Sequence, residues 1–271
     1  MTNPFADPAA VAVWAAAAGQ RAGTQVPSTE AMLDRAGVGE GSRVLDIGTG
    51  AGDTSLLAAA RVGPSGYVLA TDPSPDMIRA ARKAIEAAGA GNIELRQAGA
   101  GDIEETGFDA VIGRNSLQFV PEPGPALAKL RAALKPSGRL AALVWGDRAK
   151  DPWMSIPIAG RVAAGRPAVE GDAVLIPGSL GDPEKLRALL SEAGFSSVTV
   201  EEAPVVRRFG SPEELWEALA AAAITHLALV GLDEEGRGRA LAAMQRLALD
   251  RFGTEGPLEV RQISLLVSGQ A

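Results

Sequence analysis

The sequence predicts an α/β fold: a doubly wound, mostly parallel seven-stranded sheet with helical insertions after the fifth and sixth strands. Three observations carry that expectation. Through the first half of the chain, short apolar runs alternate with helix-period segments, as parallel strands joined by crossover helices require. The first of these runs, Val44-Leu45-Asp46-Ile47, passes directly into Gly48-Thr49-Gly50-Ala51-Gly52 and then into the helix-like Thr54-Ser55-Leu56-Leu57-Ala58. After Trp145 the rhythm breaks, returns near Pro183 and breaks again at Ser211.

Taken in order, residues 8–21 and 28–35 read as two helices, with Pro27 as a boundary and Ser28 as a cap. A glycine-rich turn, 36–41, leads into a strand at Arg43–Ile47. The helix behind the glycines stops at Gly63-Pro64-Ser65-Gly66, a strong breaker cluster. A second buried-type strand, Tyr67–Asp72, ends in an acid, and a helix over 76–88 follows Pro73-Ser74-Pro75. Strands at 92–97 and 108–113, a helix at 124–134 and a strand at 139–145 complete the regular part. Residues 147–181, rich in proline and glycine, read as an inserted lid. The alternation resumes with a helix at 183–193 and a strand at 197–202. Residues 211–252 are largely helical, opening on Ser211-Pro212-Glu213-Glu214, which combines a cap, proline at the first helical position and first-turn acids. A last strand is expected at 260–267. The chain thus divides into N-terminal helices (1–35), a ligand-binding core (36–146), the lid (147–181), and the rest of the core with its helical insertion (182–271).

Composition narrows the function classes. With 271 residues the chain can bury a full core. A net charge of −7 and no block of Lys or Arg argue against a nucleic-acid partner. No cysteine means no disulfide framework, no thiolate metal site and no Cys nucleophile, and a cytoplasmic location is the default expectation. The Ala/Val/Trp-rich start lacks a basic leading region, its first charge being Asp7, and is too short and alanine-rich to span a bilayer, so neither a signal peptide nor a membrane anchor is expected. The single histidine and scattered carboxylates lack metal-ligand spacing, and no G-x-S-x-G elbow suggests a hydrolase.

The glycine loop narrows them further. A dinucleotide fingerprint needs its third glycine where this chain has Asp53, and a phosphate-binding loop needs a lysine that is absent. What remains is D-x-G-x-G-x-G, formed by Asp46, Gly48, Gly50 and Gly52. An acid at the strand end suits a cationic ligand without phosphate, and the glycines let the main chain approach it without Cβ clashes.

With this motif the chain resembles the class I S-adenosylmethionine (SAM)-dependent methyltransferases, over residues 34–145 most clearly, and Asp109 to Pro121 is similar to the fourth strand and following loop of the quinone-biosynthesis type. The resemblance implies a Rossmann-like methyltransferase fold with SAM as cofactor and S-adenosylhomocysteine (SAH) as product. It implies that Asp46, Gly48, Thr49, Gly50 and Gly52 cradle the donor, that Asp72 holds the ribose, and that Pro73 and Met77 lie against the adenine. The family usually has an acid shortly after the third strand for the adenine amino group. Here Gly99 stands there, so the contact falls either to the backbone of Gly99 or Ala100, or to Asp102. Arg114 and Asn115 are implied on the cofactor side of the methyl-transfer chamber, and Leu117 and Gln118 on the acceptor side, unless Arg114 and Gln118 only pin their loop.

Methyl transfer from a sulfonium is an in-line displacement, so alignment in a dry site is the main task, and a base matters only where the acceptor must lose a proton. His226 and Asp147 are the candidate bases. Trp14, Trp145 and Trp153 are candidate walls for a flat acceptor, and each equally suits the core. The expected activity is methylation of a small organic acceptor, at a hydroxyl first and then at carbon or nitrogen, by a monomer or homodimer. Three rivals remain: a methyltransferase-like enzyme catalysing a cyclisation, a non-catalytic SAM-binding regulator, and a nicotinamide oxidoreductase, the last disfavoured by the early third glycine.

Overall fold

The structure, a computed structural model, describes residues 12, 15, 18–147, 150–166 and 180–271. Its central element is strand β1 (Arg43–Ile47), four of whose five residues are buried. On one side β1 pairs in parallel with β2 (Tyr67–Asp72), which pairs with β3 (Ile93–Gln97). On the other it pairs with β4 (Phe108–Arg114), and β4 with β5 (Leu134–Trp145). The sheet is completed by β9 (Ser264–Gln270), antiparallel to both its neighbours, β5 and β6 (Ser196–Glu202). Seven strands thus run in the order β3-β2-β1-β4-β5-β9-β6. The chain first winds outward from β1 and then returns to its other side at β4, so a crevice opens between the carboxyl ends of those two strands, where open α/β sheets bind ligands.

Side-chain parity explains why the strands are apolar throughout. Leu45, Leu69, Val111 and Leu140 point to one face, into a core shared with Leu127, Leu130, Leu186 and Leu190. Val44, Val68, Ile112 and Leu143 point to the other, against Met32, Leu33, Ala58 and Val62. Helices α4 (Pro123–Ala133) and α6 (Pro183–Glu192) cover the first face; α1 (Ala18–Arg35) and α2 (Asp53–Val62) cover the second. A strand buried on both faces cannot alternate with polar residues. Helix α3 (Pro75–Ala88) is defined at both ends, by the Ser74 cap accepting from the Met77 amide and by Gly89 at φ 65°.

A third apolar cluster is built from α5 (Pro152–Ala163), α7 (Pro212–Ala220), α8 (Ala223–Leu229) and α9 (Glu234–Phe252), together with a two-stranded antiparallel sheet of β7 (Val205–Phe209) and β8 (Leu258–Gln262). Among the described residues no helix is long and apolar enough to cross a membrane.

Four local expectations differ. Instead of separate helices at 8–21 and 28–35 with Pro27 as a boundary, a single α1 runs through Pro27, with the Gln25 carbonyl taking the hydroxyls of Ser28 and Thr29. Strand β5 begins at Leu134 rather than 139, because Leu134 pairs with Phe108 before a bulge restores the register at Ala110 and Arg139. The expected strand 260–267 is two strands broken at Ile263, whose carbonyl accepts the Gly146 amide at 3.0 Å instead of continuing a ladder. Residues 147–181 contain α5, begun by Asp151 as N-cap and Pro152 at the first helical position; residues 167–179 lie outside the described part.

Candidate cofactor and acceptor site

The loop after β1 turns on left-handed glycines, Gly48 at φ 67°, Gly50 at 59° and Gly52 at 90°. At Gly48 the requirement is also spatial, since a Cβ would lie 2.4 Å from that of Ser116 on the loop after β4. Asp46 is fully buried beneath this loop. One of its oxygens accepts the Ser55 hydroxyl at 2.5 Å, the Ser55 oxygen lies 2.7 Å from that of Thr49, and the other carboxylate oxygen has no partner. Burial raises the Asp46 carboxyl to about 6, against the pull of the Ser55 and Thr49 hydroxyls.

Asp72 closes the crevice at the end of β2. It accepts the Gly50 amide at 3.0 Å and the Ser74 amide at 2.9 Å, one on each oxygen. Burial raises its carboxyl, and these two amides oppose the rise. A carboxylate oxygen offers more than one lone pair, so both retain acceptor capacity for a diol. Pro73 is exposed at the rim and Met77 is buried. Of the residues considered for the adenine end, the Gly99 amide is engaged by Asp102 at 2.9 Å, and the Asp102 amide returns a bond to the Gly99 carbonyl at 3.0 Å. Asp102 is therefore the side chain that closes this turn.

On the β4 side, Arg114 donates to Asp53, the first residue of α2, and at 3.1 Å to Thr29 of α1. Its guanidinium thus ties the glycine loop's exit to the N-terminal helix. Asn115 sits in the left-handed region at φ 55° and reaches Gln25 of α1 at 3.4 Å. The next residues leave buried polar atoms without partners: the Asn115 Oδ1, the Ser116 hydroxyl and both amide atoms of Gln118. Unpaired buried groups are expensive in a finished core, which makes these atoms candidates for contact with a bound ligand. Leu117 is buried in the core beneath them.

Beyond Gln118 the wall turns aromatic. Phe119 meets Trp145 edge-on at 5.3 Å, and Trp153 of α5 stacks on Phe209 of β7 at 6.3 Å. Arg207, two residues from Phe209 and on the same strand face, lies over the Trp153 ring at 4.5 Å. It donates to Thr24 at 3.2 Å and to Gln262 at 3.3 Å, while its buried Nε has no partner. Asp151 is buried, accepts the Trp153 amide at 2.9 Å, and is raised to about 6 by that burial. Arg207 and Asp151 escaped the sequence reading. A lone Arg in a five-residue strand carries no motif, whereas Asp151-Pro152 is a legible cap signal.

Two residues stand as the candidate bases, His226 and Asp147. His226 is half-buried on α8, which packs on α5 and α7, and no hydrogen bond or ion pair joins it to Asp46, Asp72 or Asn115 among the described residues. Asp147 is exposed and pairs with Lys150 at 3.2 Å. Trp14 lies outside the described residues. Among the described residues no cluster of His and carboxylates is suited to hold a metal.

These residues fit SAM: a glycine turn that admits close approach, a fixed acid for the sugar hydroxyls, and a buried acid with an unpartnered oxygen at the loop's base. The comparisons agree. The model of a methyltransferase domain family matches residues 39–148. The ubiquinone/menaquinone biosynthesis C-methyltransferase UbiE of Pseudomonas entomophila is 31% identical over 179 residues, 62% of this chain and 70% of that protein. An arsenite methyltransferase of Halobacterium salinarum is 29% identical over 195 residues, 70% of this chain, and the match spans only 47% of that longer protein. Among solved structures, a methyltransferase-like protein of Bacillus halodurans shares the fold with a TM-score of 0.56 at 19% identity, over 89% of this chain and 97% of that one. The [4+2]-cyclase SpnF does so with 0.55 at 20%, over 90% and 80%. Fold alone does not choose between their chemistries, but the sequence relationship and the glycine loop together do: the chain belongs to the class I SAM-dependent methyltransferases.

Proposed function

We propose that this chain transfers the methyl group of SAM to a small, flat acceptor with an ionisable hydroxyl, held between the β4–β5 carboxyl edge and the α5, α7–α9 cluster. The observation that supports this most directly is the row of unpartnered polar atoms from Asn115 to Gln118 beside the Phe119–Trp145 aromatic pair. These groups bring unspent hydrogen-bonding capacity next to aromatic rings. When bound, SAM supplies an electrophilic methyl on a sulfonium. The protein's task is to fix the acceptor in line and keep water out. In this reading Asp72 orients the sugar, the glycine loop holds the amino-acid end, and α1 and α5 cover the acceptor.

We read the acceptor as reacting in its ionised form, so that the transfer itself needs no base. A phenolate offers both an oxygen and the adjacent ring carbons as nucleophiles. That accommodates the O-methylation expected from the sequence and the C-methylation named for the UbiE relative. Arsenic chemistry through thiolates is not proposed, since the chain has no cysteine.

Calorimetry with SAM, SAH and NAD, followed by transfer of labelled methyl to phenols, quinols and amines, tests the proposal. We expect SAM and SAH to bind and label to reach a phenol or quinol. SAH binding with no transfer to any acceptor would favour the cyclising or regulatory reading, and binding of NAD alone would end the proposal.

A further inference from the structure

Arg207 is 8% exposed, and no acidic side chain lies within ion-pair distance of it among the described residues. A buried guanidinium ordinarily has a carboxylate against it, because leaving a cation desolvated and unpaired is strongly unfavourable. Only two of its five N–H donors have named partners, and both partners, Thr24 and Gln262, are neutral. One face of the guanidinium is covered by Trp153, while the Nε edge has no partner. Asp151 is the nearest acid to influence it. That carboxylate accepts the Trp153 amide at the start of α5, and its charge and that of Arg207 act on each other without a direct ion pair between them.

Three connections tie Arg207 to residues at the carboxyl ends of β4 and β5. Thr24, which it bonds, adjoins Gln25, which accepts from Asn115 at the end of β4. Gln262, its other partner, precedes Ile263, whose carbonyl holds Gly146 directly after Trp145. Trp153, beneath it, belongs to the same apolar cluster as Phe119 and Trp145.

We infer that Arg207 is a specificity residue that binds a carboxylate on the acceptor, so that this enzyme methylates acids of the arene carboxylate class in preference to their neutral analogues. The anion completes a site already holding the cation, a stacking face and a fixed orientation, and guanidinium–carboxylate pairing is bidentate and directional. The inference rests on the donor lying in the glycine-loop crevice. A carboxylate could also come from the methionine end of the donor itself, and the experiment separates the two sources.

The experiment is calorimetry in two stages. SAH is first titrated into wild type, Arg207→Lys and Arg207→Gln, with thermal melting as a check on folding. The SAH-saturated proteins are then titrated with benzoate, 4-hydroxybenzoate and phenylacetate, each beside its neutral amide. Wild type should prefer the acids by roughly tenfold or more, Arg207→Lys should keep part of that preference, and Arg207→Gln should lose it with SAH affinity changed less than about twofold. The inference is overturned if SAH-saturated wild type shows no preference, including by binding none of the probes. It is overturned equally if the preference survives in Arg207→Gln, or if SAH affinity falls along with it, which would assign the carboxylate to the donor. The wild-type arm needs no variant to fold. Failure of wild type to bind SAH would instead defeat the proposed function itself.

Discussion

The carboxylate of Asp72 accepts the backbone N–H of Gly50 at 3.0 Å, joining the end of β2 to the middle of the loop after β1. The acid expected to grip the ribose therefore also shapes the glycine turn beside it. On the proposed role of Asp72, binding and loop conformation depend on one side chain.

Replacing Asp72 by Ala should accordingly weaken SAH binding by about 1–3 kcal/mol and lower stability by about 1–2 kcal/mol, since the Gly50 and Ser74 amides lose their acceptor together. Asp72→Asn should fall between, because its amide can present one acceptor oxygen but sets an N–H against an N–H. Titration calorimetry and chemical denaturation read the two effects separately. An Ala variant with unaltered affinity would remove Asp72 from the donor site.

Gly48→Ala should destabilise by about 2–4 kcal/mol, combining a left-handed backbone at φ 67° with a Cβ that meets Ser116 at 2.4 Å. Adding Ser116→Gly should recover the steric part and leave the conformational part. If the double variant melts no higher than Gly48→Ala, the close approach of these two loops is not what the glycine serves.

Arg114 and Asp53 form an ion pair with side chains 7% and 16% exposed. Breaking it from either end should cost about 3 kcal/mol, because the remaining charge is stranded. A double-mutant cycle with Ala at both positions should show a coupling of about 1–3 kcal/mol. Additive losses would mean that the pair contributes nothing beyond its separate residues.

Stability should fall as pH rises from about 4 to about 6. Asp46 and Asp151 both have folded-state values near 6 against an ordinary 3.8. Between those values the folded chain holds a proton that the unfolded chain has released, so acid favours folding across that window and the penalty is complete above it. Each group contributes up to about 3 kcal/mol. Asp46→Asn and Asp151→Asn, the latter still a competent helix cap, should each flatten the profile. Urea midpoints that climb through this range in the wild type would contradict the assignment.

The glycine loop and the acids at the strand ends were legible because their demands are local. Gly48, Gly50 and Gly52 must occupy backbone regions that other residues avoid, and Asp46 and Asp72 end apolar runs where an acid has no place in a core. The surroundings of Arg207 and Trp153 were not, because these residues meet only through packing of segments far apart in sequence. Arg207 sits on a short strand whose Val-Val-Arg-Arg-Phe has no clean period, and it gains meaning only once α1, α5 and β8 converge on it. The break at Ile263 was hidden for the same reason: residues 260–267 are uniformly strand-like, and it is the Gly146 amide that claims the Ile263 carbonyl. At Pro27 the local rule was outweighed, since the α1 face carrying Met32 and Leu33 gains more from burial than one missing bond removes.

Strand β9 follows every other described strand, yet it lies inside the sheet, hydrogen-bonded to β5 on one flank and β6 on the other. On the ribosome the sheet must therefore wait with a gap in its interior until residues 264–270 emerge. Two naked strand edges stay available to other chains for as long as that takes. Assembly of this enzyme is thus a race between insertion of β9 and capture by a neighbouring nascent chain, and slower translation of residues 264–270 should lower the yield of native protein.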